Sequence, residues 1–179
     1  MNRKWTAATI VGSLFLLSAW ASIPRAGPVG NRSVPEPAKS VELQKYFGRW
    51  YEQYRYEASF QKDMDQVSAD YALNDDGTIR VTNRGQKKGK AKETVGKAKI
   101  ADTQTNAKLR ISFFGPFYGD YWVLDRADDY SWSIVGEPSG RYLWVLTRDQ
   151  NPSADELARL EARVKELGYD WSLIRRTLQ

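Results

Sequence analysis

Val67-Ser68-Ala69-Asp70-Tyr71-Ala72-Leu73-Asn74-Asp75-Asp76-Gly77-Thr78-Ile79-Arg80-Val81-Thr82 reads as a β-hairpin. Val67, Ala69, Tyr71 and Leu73 alternate with Ser68, Asp70 and Ala72, and Ile79 and Val81 alternate with Arg80 and Thr82. A period of two places each set on one face of a sheet. The polar run from Asn74 to Gly77 supplies the turn. The same texture extends outward from Arg49 to Arg148: short runs rich in Tyr, Trp, Phe, Val and Ile, divided by turn residues. Leu109, Ile111 and Phe113 alternate with Lys108, Arg110 and Ser112. Tyr121 to Leu124, Trp132 to Val135 and Tyr142 to Leu146 are apolar on both faces, so one face needs a cover outside the sheet.

One helix supplies that cover. Ser153 and Glu156 form a capping box after Pro152, and Leu157, Leu160, Val164 and Leu167 make a single apolar stripe at helical spacing before Gly168 stops the helix. Trp171 to Leu178 returns as a last short strand. Meandering antiparallel strands that close on themselves satisfy every backbone ladder, and about eight of them leave room for one small ligand. The predicted fold is all-β with one helix: an eight-stranded antiparallel up-and-down β-barrel, a C-terminal α-helix packed outside it, and a short final strand.

The ends and the composition narrow the function. In residues 1–21, Arg3 and Lys4 precede an apolar run that includes Ile10, Val11 and Leu14 to Leu17 and ends at Ala19-Trp20-Ala21, which is the pattern of an export signal. The run is diluted by Thr6, Thr9, Ser13 and Ser18, which favours a cleaved signal over a retained anchor. Residues 22–40 carry four prolines and two glycines and read as an extended, flexible linker, with the folded domain expected over 41–179. The chain has no cysteine, so no disulfide and no thiol-linked lipid. It has no histidine, which removes Ser-His-Asp catalysis and imidazole metal sites; no metal and no cofactor is expected. The net charge of +5 falls to +3 once Arg3 and Lys4 leave with the signal, too mild an excess to argue for nucleic acid.

Three motifs carry a family resemblance. Gly48-Arg49-Trp50-Tyr51-Glu52 opens the first strand, Asp125 to Tyr130 follows the sixth, and Thr147-Arg148 closes the eighth. Between them stand Ser112-Phe113-Phe114-Gly115-Pro116-Phe117-Tyr118-Gly119 and Gly136-Glu137-Pro138 with Tyr142-Leu143-Trp144. This set, in this order and with the helix after the last motif, resembles the lipocalins and within them the bacterial branch, over roughly Val41 to Leu178. The Thr-Asp-Tyr form usual in the second motif is absent. The resemblance implies a barrel that binds, stores or transports a lipid-like molecule, such as a fatty acid or lysophospholipid, for the cell envelope, and does not act as an enzyme. It implies a structural role for Gly48, Trp50 and Arg148, the Arg packing on the Trp as a floor plug. Many members of the branch are outer-membrane lipoproteins. Here Leu17-Ser18-Ala19 is followed by Trp20 where the lipid-bearing Cys would stand, so the expected location is exported and periplasmic, with outer-membrane association left open.

Strand parity then lists the ligand-binding face. With Trp50 inward, so are Glu52, Tyr54 and Tyr56; on later strands Val67, Ala69, Tyr71, Ile79 and Val81; then Leu109, Ile111, Phe113, Tyr121, Val123, Tyr142 and Trp144. Trp122, Leu124, Leu143 and Val145 face outward under the helix. Small residues at Ala69, Gly96 and Ala98 favour open volume, although alternation alone does not separate a cavity from a solid core that serves only as an interaction surface. Glu52 needs a buried partner, an Arg or Tyr, or else meets a cationic part of a ligand; an enzyme reading would use Glu52 or Asp125, with a second titrating group inside the cavity. Arg84, Lys87, Lys88, Lys90 and Lys92 crowd one loop that hairpin counting puts at the mouth, where they would attract anionic headgroups or a membrane surface. For Phe114, Phe117 and Tyr118 the sequence does not choose among lining the entrance, touching membrane and pairing two copies in a homodimer.

Overall fold

A computed structural model describes residues 27–179; the expected export signal lies outside the described residues. After one helical turn, α1 (Leu43–Tyr46), the chain forms β1 (Gly48–Tyr56), β2 (Met64–Leu73), β3 (Ile79–Lys87), β4 (Lys90–Ile100), β5 (Lys108–Phe114), β6 (Phe117–Arg126), β7 (Trp132–Gly136) and β8 (Leu143–Thr147). Helix α2 (Ala154–Glu166) and strand β9 (Ile174–Arg176) complete it. Every neighbouring pair is antiparallel, and β8 returns to β1 while β1 also pairs with β2, which closes an eight-stranded up-and-down barrel with β9 added to β1.

The seam between β1 and β2 is short. Backbone pairing covers only Gly48–Tyr51 against Ser68–Tyr71. Above it β1 turns to β9, and the C-terminal residues lean across the gap: Leu178 O accepts from Gln66 N, and the Gln179 amide donates to both Glu52 O and Val67 O.

Local chemistry accounts for the punctuation. Gly77, at φ +78°, closes the β2–β3 hairpin, in which Asn74 N donates to Thr78 O and Gly77 N to Asn74 O. Ser153 Oγ accepts from Glu156 N to cap α2. Leu160 and Val164 are buried, with Leu157 and Leu167 half-buried beside them. They cover an outer apolar cluster of Tyr56, Leu124, Ile134, Leu143, Val145 and Tyr169, separate from the cluster inside the barrel. The doubly apolar strands thus face the interior on one side and the helix on the other. The last strand is shorter than expected, because Trp171–Leu173 forms a 3-10 turn capped by Asp170.

Residues 27–40 differ from the expected flexible linker. They are extended, as their prolines require, but lie against the barrel. Gly30 N and Asn31 N donate to Gly140 O, Asp170 N donates to Gly30 O, Ala38 N donates to Leu124 O, and the Arg126 guanidinium donates to Ser40 O. Asn31 is buried and its amide donates to Leu167 O, while Val34 packs on the outer cluster. The strap is held by backbone hydrogen bonds rather than by an apolar stripe, so periodicity does not reveal it.

Candidate functional site

The interior has a closed floor. Trp50 is fully buried, and its indole N–H donates to Tyr46 O at 2.8 Å. The Arg148 guanidinium lies 3.8 Å from the ring centre and donates to the carbonyls of Arg49, Lys45, Tyr46 and Phe47 at 2.6, 2.7, 3.1 and 3.0 Å. Gly48 stands at φ +91° beside that guanidinium, a conformation other residues adopt only with strain. Partial burial lowers the pKa of Arg148. Above the plug, Tyr121 OH meets Tyr46 OH at 3.1 Å and Tyr71 OH at 2.8 Å, and Tyr46 OH meets Ser133 Oγ at 3.0 Å. Burial pushes all three tyrosines above their ordinary value.

Of the residues expected on the ligand face, Ala69, Tyr71, Ile79, Val81 and Tyr121 belong to the inner cluster, and Ile111, Phe113 and Trp144 pack on it while keeping some exposure. Val67 is buried on the same side, against Gly85. Tyr142 stacks on Trp144 at 5.8 Å and meets Phe60 at 5.9 Å near the mouth. Phe113 covers Gly96, where a side chain would collide with its ring. The outward assignments of Trp122, Leu124, Leu143 and Val145 agree with the outer cluster.

Tyr54 and Tyr56 are corrected. The register of β1 on β8 passes from Glu52↔Leu146 to Tyr54↔Val145, so Gln53 is an extra residue, a β-bulge. Parity reverses beyond it. Tyr54 packs outside on Trp171, and Tyr56 OH donates to Asp170 O at 2.9 Å beneath the helix. Arg55 takes the inward place instead, opposite Trp144.

Arg55 and Glu52 form a buried polar group on the inner wall. Arg55 is 0 % exposed and Glu52 3 %. The guanidinium donates to Glu52 Oε1 at 2.7 Å, to Thr177 Oγ1 at 3.0 Å, and to Glu57 Oε1 and Gln61 O at 3.1 Å. Gln61 reaches down from the first loop, donating to Glu52 Oε2 at 2.6 Å and accepting from Trp144 Nε1 at 3.1 Å. Only the Arg55 Nε is left without a partner there. Sequence reasoning missed Arg55 because residues three apart on a regular strand face opposite ways; the bulge alone brings it to Glu52. Asp125 is elsewhere: it accepts from Arg163 Nε at 2.8 Å and ties α2 to the outside of the barrel. The two carboxylates of the enzyme reading therefore share no site.

Two hollows lie apart from the aromatic face. One of about 300 Å³ is lined by Gln53, Gln150, Asn151, Leu157 and the C-terminal residues, and one of about 320 Å³ by Gln66, Arg84, Gln86, Ala91 and Glu93 with their neighbours. Among the described residues no His/Cys/Asp/Glu group is placed to hold a metal and no helix is long and apolar enough to cross a membrane.

Similar proteins agree with the fold. The chain is 40% identical over 148 residues to the outer membrane lipoprotein Blc of Vibrio cholerae, covering 80% of this chain and 86% of that one. It is 34% identical to the outer membrane lipoprotein Blc of Escherichia coli (78% and 84% covered) and 37% identical to temperature-induced lipocalin-1 of Arabidopsis thaliana (80% and 82% covered). Insecticyanin from Manduca sexta superposes with a TM-score of 0.66 at 18% identity, over 84% of this chain and 87% of that one. The lipocalin-like domain family matches residues 41–179. The chain belongs to the lipocalin family, whose barrels bind small hydrophobic ligands.

Proposed function

We propose that this lipocalin binds a single-chain lipid, a fatty acid or lysophospholipid, in the upper half of its barrel and stores or carries it for the cell envelope, without catalysing a reaction. The carrying observation is the contrast between floor and mouth. Trp50 and Tyr46 are sealed at the bottom, while Ile111, Phe113, Tyr142 and Trp144 keep accessible surface above them. Such aromatics offer an apolar body with a polar tip, suited to an amphiphile. About 12 buried methylenes contribute roughly 10 kcal/mol gross, and micromolar affinity corresponds to about 8 kcal/mol, the difference covering immobilisation.

The same reading takes the protein as exported, with residues 1–21 as its signal, and places it in the periplasm. The relatives named as outer membrane lipoproteins support an envelope location. Phe60, Phe114 and Phe117, exposed at 65%, 75% and 80%, suit contact of the mouth with a membrane surface or with a second copy.

Native mass spectrometry of the purified protein, with organic extraction, tests the proposal. Expected is one lipid per barrel, displaced by added lysophospholipid with quenching of Trp fluorescence, and lost in Ile111→Trp without unfolding. No retained lipid and no quenching on titration would mark the interior as solid.

A further inference from the structure

The pairing of β3 with β4 runs without a break from Ile79↔Ala98 to Lys87↔Lys90. Side chains alternate faces along a strand, so an unbroken register carries the inner face from floor to mouth. Ile79, Val81 and Ala98 lie in the inner cluster. Counting by twos from them, the inner face continues with Asn83, Gly85 and Lys87 on β3, and with Gly96, Thr94, Lys92 and Lys90 on β4. This wall is sorted by height. It is apolar at Ile79 and Val81, uncharged and polar at the pair Asn83 and Thr94, and cationic at Lys92, Lys87 and Lys90. The seven residues from Val81 to Lys87 span roughly 20 Å of strand.

The other charges of this hairpin are placed differently. Arg84 and Glu93 are on the outer face, paired with each other, and Arg84 also pairs with Asp70. Lys88, at φ +51°, sits at the turn tip beside Gly89. Among the described residues Lys87, Lys90 and Lys92 take part in no ion pair, whereas the rim acids Glu57 and Asp65 are held by Arg55 and Arg175. Asp63 is exposed on the rim.

We infer that Lys87, Lys90 and Lys92 form a headgroup subsite on the inner wall of the mouth, which takes the carboxylate or phosphate of a single-chain amphiphile whose tail lies on the apolar wall below. The inference rests on the proposed lipid binding and adds that the ligand is anionic, read by three particular lysines rather than by the basic loop as a whole.

Dissociation constants for palmitate, palmitoyl lysophosphatidate and neutral monopalmitoylglycerol test it. The wild-type protein should hold the two anions about tenfold more tightly than the neutral lipid at low ionic strength, a margin that shrinks with salt. Lys87→Ala/Lys92→Ala should lose about tenfold for the anions and nothing for the neutral lipid. The charge-matched Lys88→Asn/Lys99→Ala, whose Asn tolerates the left-handed turn, should keep wild-type values. Equal loss in that control would mean a diffuse field, and equal loss for the neutral lipid a change of wall shape; either overturns the subsite. So would inorganic phosphate alone binding as tightly as lysophosphatidate. Neutral lipid bound as well as the anions sinks the subsite and leaves lipid binding standing, whereas failure of all three lipids removes both.

Discussion

Arg55 is a charge held where water does not reach, and its neighbours determine what that costs. Both partners of the Arg55–Glu52 pair are almost wholly buried, 2.7 Å apart. Breaking such a pair by deleting one member typically costs about 3–5 kcal/mol, because the remaining charge is uncompensated, whereas replacing both with apolar groups of similar volume is often neutral. Glu52→Ala should therefore destabilise the barrel by that amount in urea unfolding, and Glu52→Leu combined with Arg55→Met should recover most of it. A Glu52→Ala protein as stable as wild type would show that the carboxylate does not balance Arg55. At the floor, Trp50→Ala empties a fully buried site and should cost about 3–5 kcal/mol in thermal melts. Arg148→Ala, which removes one cation–π contact and four carbonyl hydrogen bonds from a half-exposed group, should cost less, about 1–2 kcal/mol.

The elements themselves were largely legible, and the exceptions have one kind of cause. Alternation in 67–82 and the stripe Leu157, Leu160, Val164 and Leu167 identified hairpin and helix, because burial on one face imposes a period. Alternation also placed Ile111, Phe113 and Trp144 on the inner side: the β7–β8 register runs unbroken past Trp144, and Phe113 keeps its inward face although β5 shifts register against β6 between Ile111 and Phe114. It failed at Tyr54 and Tyr56, where one additional residue, Gln53, reverses the faces, and no residue type in Gly48–Tyr56 announces it. It failed also for the strap 27–40, which is fastened through main-chain groups that every residue carries. That fastening predicts a sensitive glycine. Gly140 has φ +65°, and a Cβ there would collide with the Asn31 carbonyl, whereas Gly89, at φ +73°, has open space around it. Gly140→Ala should lower the melting temperature and open residues 27–40 to limited proteolysis. Gly89→Ala should change only the turn, by about 1 kcal/mol. Equal protease resistance in both variants would mean the strap does not depend on that contact.

Taken as a whole, the barrel is most vulnerable to alkali and along its seam. Tyr46, Tyr71 and Tyr121 are raised by burial above 10.0, and burial also pushes Tyr56 up to about 12. The unfolded chain releases these protons first, so their contribution is fully present below about pH 10 and is lost as pH rises past it toward the folded values. Melting temperature should fall steeply above pH 10, and the slope should be shallower in Tyr121→Phe; an unchanged slope would assign the loss to other groups. At the seam, four residue pairs join β1 to β2, and the segment around Leu178 and Gln179 spans the rest. A chain ending at Leu173 would keep its floor, its helix and its inner face, yet would present two adjacent strands with unsatisfied backbone groups to solution. Such exposed edges recruit strands from other molecules. The last six residues thereby govern colloidal behaviour, and light scattering of the shortened protein should report aggregation at concentrations where the full chain stays dispersed.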